Sequence, residues 1–73
     1  MVTDSDSAFY AKQVGKSIDY VAPGEKERHV ASIERFVPHA FTPCWVIRYT
    51  QRRGPSVYVE VLCSQQVNNV RPY

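Results

Sequence analysis

Trp45-Val46-Ile47-Arg48-Tyr49-Thr50 alternates strictly, with Trp45, Ile47 and Tyr49 on one side and Val46, Arg48 and Thr50 on the other. A period of two belongs to a strand with one face buried. Val57 to Cys63 repeats the pattern, setting Val57, Val59, Val61 and Cys63 against Tyr58 and Glu60. Gln51-Arg52-Arg53-Gly54-Pro55-Ser56 lies between the two and reads as a hairpin loop. This alternation confines the chain to a mainly β architecture. Trp45, Ile47, Val59, Val61 and Ile33 are the expected core, because they hold same-face positions on the most regular strands.

The rest of the chain adds shorter elements of the same kind. Ile18 and Tyr20 alternate with Asp19 and Val21 before Ala22-Pro23-Gly24 ends the run. From Arg28 to Val37 the apolar side is Ala31, Ile33 and Val37, with Arg35 between them; a bulge would turn Phe36 inward instead. Pro38 and Pro43 bound a loop that cannot continue a ladder. Asn68-Asn69 is a turn pair, and a short closing strand fits after it. Near the start, Ala8 to Val14 predicts a two-turn helix capped by Asp6 or Ser7 and stopped at Gly15. The expected organisation is a flexible acidic tail over 1–7 and a single small domain over 8–73. Its fold class is mainly β (α+β): a short N-terminal helix plus a bent antiparallel sheet of four to five strands, or a small SH3-like barrel.

At 73 residues there is room for one domain only, and about 60% of the unfolded surface is buried at this size. Hydrophobic residues make up 44%, so the chain can build a core, but no apolar run approaches the ~20 residues of a membrane helix. Met1 to Ser7 is acidic and has no basic residue, unlike a signal or transit peptide. Cys44 and Cys63 sit in or beside apolar segments and read as two reduced core thiols. Structural zinc usually takes ligands in close pairs such as C-x2-C or H-x3-H. His39 and Cys44 have four residues between them, and His29 and Cys63 are remote, so no metal site is expected. No G-x-S-x-G, Walker A, H-E-x-x-H or clustered carboxylates are present, and three glycines cannot form a phosphate loop. No catalytic residue and no cofactor are expected.

Charge is the most informative remaining feature. Overall the chain carries +2, but Asp4 and Asp6 lie in the first seven residues, and the remainder holds nine basic residues against five acidic ones. Between Glu34 and Glu60 there is no acid, while Arg35, Arg48, Arg52 and Arg53 fall in that stretch. Arginine binds phosphate or carboxylate through a planar fork, and tyrosine suits half-wet contact surfaces. Arg35, Arg48, Arg52, Arg53 and Tyr58 are therefore the candidate contact residues for nucleic acid or an acidic protein surface. The alternative for each arginine is a solvated turn or a pair with Glu34 or Glu60.

In length and composition, with arginine-dense hairpins, an acidic start and no catalytic motif, the chain resembles the small RNA-polymerase-binding transcription regulators of Xanthomonas lytic bacteriophages. The features that carry the resemblance are the Tyr20-Val21-Ala22-Pro23-Gly24 strand end, the Trp45-to-Thr50 strand and the Arg52-Arg53-Gly54 tip. It implies a non-enzymatic protein of the host cytoplasm that inhibits initiation, prevents termination, or both. Its partner would be bacterial RNA polymerase, bound at the large-subunit surface near the RNA exit region. RNA or DNA would lie nearby, no membrane would be involved, and the protein would be a monomer. The residues alone leave open a small-barrel nucleic-acid-binding protein or a protein–protein interaction module.

Overall fold

The computed structural model describes residues 4–39, 41–51 and 53–71. Helix α1 (Asp4–Ala11) precedes β1 (Ser17–Val21), β2 (Arg28–Val37), β3 (Cys44–Thr50) and β4 (Ser56–Leu62). A single-turn helix α2 (Cys63–Gln66) and a 3-10 turn (Val67–Asn69) then lead into β5 (Val70–Arg71). The strands form one antiparallel sheet in the order β4-β3-β2-β1-β5. Four strands run as a meander, and the short closing strand returns to the free side of β1. The sheet stays open, with β4 and β5 at its edges, and does not close into the barrel that the length also permits.

Alternation decides which face is covered. Ile18, Ile33, Trp45, Ile47 and Cys63 are fully buried, and Tyr20, Ala31, Tyr49 and Val61 complete the cluster. Val59, from the expected core, is only half-buried and packs on its edge, because β4 has no neighbour beyond it. Both cysteines are free and buried, as their apolar neighbours suggested.

The register of β2 slips between Ile33 and Arg35. A bulge of this kind reverses the sidedness of the residues beyond it. Ile33 faces Ile47, yet Phe36 rather than Val37 meets Trp45, so Phe36 turns inward and Arg35 is released to solvent. The inward arginine of an unbroken alternation is thus avoided by one extra residue.

Helix α1 starts and stops earlier than its sequence suggested. It covers Asp4–Ala11, so residues 4–7 of the expected tail belong to it, and a turn carries the chain from Lys12 to Gly15. Asp6 falls in its first turn, where the helix dipole favours acidic groups. Tyr10 docks this region on the sheet. Trp45 Nε1 donates to the Tyr10 carbonyl at 2.9 Å, and the Tyr10 ring meets the Trp45 ring edge-on at 5.8 Å. Gln13 is buried; its amide donates to the Phe9 carbonyl and its oxygen accepts from Lys16 Nζ, both at 2.9 Å. Gly15 has φ +95°, a conformation that side chains other than glycine's resist, and its N–H donates to the Ile33 carbonyl. Among the described residues no helix is long and apolar enough to cross a membrane.

Candidate functional site

The covered face leaves the opposite one to solvent, and the arginines singled out by sequence fall there or at the adjoining hairpin. Two rows of cross-strand neighbours define it. Ser32, Arg48 and Tyr58 lie side by side across β2, β3 and β4; Arg35, Val46 and Glu60 form the next row. Neighbours in such rows have Cβ atoms about 5 Å apart. Arg35 is exposed and makes no ion pair among the described residues. Arg53, at the β3–β4 hairpin, is likewise exposed, and Arg52 lies outside the described residues. Tyr58 keeps 64% of its surface exposed, and Val30 on the same side keeps 65%.

Arg48 is held differently. Its Nε donates to Glu34 Oε1 at 2.7 Å, with both side chains about two-fifths exposed. It borders a shallow groove of about 350 Å³ that Ser17, Val30, Ser32 and Thr50 also line. In that groove Ser32 Oγ donates to the Arg48 carbonyl and Thr50 Oγ1 shares a hydrogen bond with Ser56 Oγ at 3.2 Å, while a guanidinium fork is a donor suited to a carboxylate or phosphate oxygen. At the sheet's far edge, Arg71 pairs with Asp19 and so contributes no unpaired charge. The structure thus brings Arg35, Arg48 and Tyr58 onto one surface and sets Arg53 at the hairpin beyond it. The acid-free stretch of sequence is not an acid-free surface, since Glu34 and Glu60 border it from β2 and β4.

A second group of chemically able side chains lies at the end of this face. His39, Cys44 and Glu60 offer a nitrogen, a sulfur and an oxygen within 4.8 Å of one another. Cys44 opens β3 opposite Val37, which places His39, two residues past Val37, beside it. Its direct partner on β4 is Leu62, so Glu60 is the diagonal neighbour on the same face, within reach of a long side chain. The Cys44 thiol donates to the Thr42 carbonyl at 3.1 Å. Burial pushes this thiol above its ordinary value, and the Glu60 carboxylate adds to the rise through its charge and a hydrogen bond. Sequence spacing missed the group because Glu60 arrives through the β3–β4 register. The one local signal was a histidine and a cysteine flanking the same proline-bounded loop.

Cys63 contrasts with Cys44. It is fully buried under the inner face, and its thiol is pushed up to about 12, mainly by loss of solvent. Compared with known proteins, the chain matches no family model, no curated protein and no solved structure.

Proposed function

We propose that this protein is a non-enzymatic binding protein that lays the outer face of its sheet against an anionic surface of a larger partner. What carries the reading is the placement of Arg35, Arg48 and Tyr58 on one solvent-facing side, with Arg53 at its end and a hydroxyl-lined groove between the strands. Exposed arginine and tyrosine are residue types that become anchors at interfaces. The partner proposed is bacterial RNA polymerase near its RNA exit region, as the resemblance in length and composition implies. Occupying that surface blocks initiation or shields the complex from termination by occlusion, and the protein supplies contacts rather than chemistry.

The experiment is titration of the purified protein against purified bacterial RNA polymerase, followed by single-round transcription across a promoter and an intrinsic terminator. Saturable binding with fewer initiated transcripts, or with more read-through, is the expected result. Absence of binding to both core and holoenzyme overturns the polymerase assignment. Should free RNA or DNA bind instead, with affinity falling about 0.9 log units per log unit of salt for each duplex phosphate contacted, the protein is a direct nucleic-acid binder.

A further inference from the structure

We propose that His39, Cys44 and Glu60 form a binding site for a single divalent transition-metal cation of the zinc type. The inference is independent of any partner. Three donors of different chemistry come from three places in the fold, the 38–43 loop, the start of β3 and the middle of β4, and converge to within 4.8 Å. Zinc bond lengths of about 2.0–2.3 Å place tetrahedral ligand atoms roughly 3.5 Å apart. From a spread of 4.8 Å the remaining closure is at most about 1.3 Å.

The geometry shows which atoms provide that closure. Cys44 is buried and fixed at the head of its strand, whereas His39 and Glu60 are exposed side chains, so the adjustment falls to them. Buried Pro43 and the Cys63 N–H, which donates to the Pro43 carbonyl at 3.0 Å, fix the backbone directly before the thiol.

The donor set selects the cation. A thiolate and an imidazole suit zinc, cobalt or copper, while calcium and magnesium prefer oxygen alone. A thiolate and a carboxylate balance a divalent charge, so the loaded site is neutral. Binding takes the place of the Cys44 proton, which leaves to solvent. With three protein ligands the fourth position faces water. Glu60 makes no ion pair among the described residues, so no protein cation competes for it there. The bound ion would tie the 38–43 loop to β3 and β4 and would remove the charge of Glu60 from the outer face.

Cobalt titration of the reduced, metal-stripped protein tests the site, because a thiolate–cobalt bond gives a near-ultraviolet charge-transfer band. The expected result is a band that saturates at one equivalent and is displaced by zinc. Cys44→Ser removes it, Cys63→Ser keeps it, and His39→Ala and Glu60→Gln each weaken cobalt binding at least ~10-fold. The last two positions are exposed, so those variants decide the matter even if Cys44→Ser does not fold. No band in cobalt excess overturns the proposal. So does a band lost with Cys63 rather than Cys44, or unchanged affinity in both His39→Ala and Glu60→Gln, which would leave a lone thiol.

Discussion

The two faces of this sheet are built from the same strands and obey opposite rules. The inner face is mostly apolar, and α1, α2 and the 3-10 turn close over it until Trp45, Ile33 and Ile47 lose all contact with water. On the outer face the intervening residues are Ser32, Arg35, Arg48, Thr50, Tyr58 and Glu60, with no helix among the described residues laid over them. The inner face holds the fold together, and the outer face is left for contacts. Each face also carries one cysteine. Cys63 stands among apolar groups, Cys44 beside a histidine and a carboxylate, and only the second has neighbours that give a thiol something to do.

The sharpest way to break this contrast is to remove the inner anchor. Trp45 is fully buried, touches the Tyr10 ring, and donates its indole N–H to the Tyr10 carbonyl. Trp45→Ala forfeits that contact, leaves a cavity and should cost about 3–5 kcal/mol, most of the stability of a domain this size. Loss of a cooperative urea transition is the expected observation. A variant that unfolds within about 1 kcal/mol of the parent, the order of magnitude of a surface change, would move Trp45 out of the core.

The inner cysteine gives a pH test of the same face. The folded chain holds the Cys63 proton up to about 12, against an ordinary value of 9.0. Between these values the unfolded chain binds fewer protons, so stability falls as pH rises, by about 1.4 kcal/mol per unit once the unfolded thiol ionises. Below about pH 8 this group makes no difference, since both states hold the proton. Tyr20, also raised chiefly by burial, adds to the loss above pH 10.0, its ordinary value. Urea melts of parent and Cys63→Ala at several alkaline pH values should show a shallower decline in the variant. Parallel declines would mean that Cys63 ionises as freely in the fold as outside it.

These tests rest on features of unequal legibility. The strands from Trp45 to Thr50 and from Val57 onward are legible from alternation, because a half-buried strand leaves no other arrangement for their apolar residues. The inward turn of Phe36 is legible as one of two options, since only the pairing with β3 decides where a bulge falls. The start of α1 is hidden in the sequence because polar residues such as Asp4 and Ser5 carry no periodic signal. Of the site, the exposure of Arg53 and Tyr58 comes from turn position and strand phase, whereas that of Arg35 depends on the bulge in β2. The meeting of His39 and Cys44 with Glu60 is not legible in this way, since it depends on a register that joins residues sixteen apart.

A smaller effect is expected on the outer face, and there stability and binding should part company. Arg35→Gln combined with Arg53→Glu removes two exposed positive charges that make no ion pair among the described residues and adds a negative one. Folding stability should change by less than about 0.5 kcal/mol. Binding to polymerase should weaken at least ~10-fold, equivalent to ~1.4 kcal/mol, with the difference shrinking as salt rises. Affinity equal to the parent's at low salt would clear Arg35 and Arg53 of any role in binding.

The smallest effect concerns the ion pair that belongs to neither extreme. Arg48 and Glu34 meet at 2.7 Å, but their side chains are 42% and 37% exposed, and pairs in such a setting contribute about 0–1 kcal/mol. Glu34→Gln should therefore lower stability by less than ~1 kcal/mol, and the loss should vanish near ~1 M salt, where the screening length drops to about 3 Å. Its effect on binding has the opposite sign. Glu34 competes with any incoming carboxylate or phosphate for the Arg48 fork beside the groove, so neutralising it should tighten partner binding. A Glu34→Gln variant that binds more weakly than the parent would show that the pair orients Arg48 for its partner. The outer face would then be a built surface in the same sense as the inner one, with a fixed geometry of its own rather than a set of independent charges.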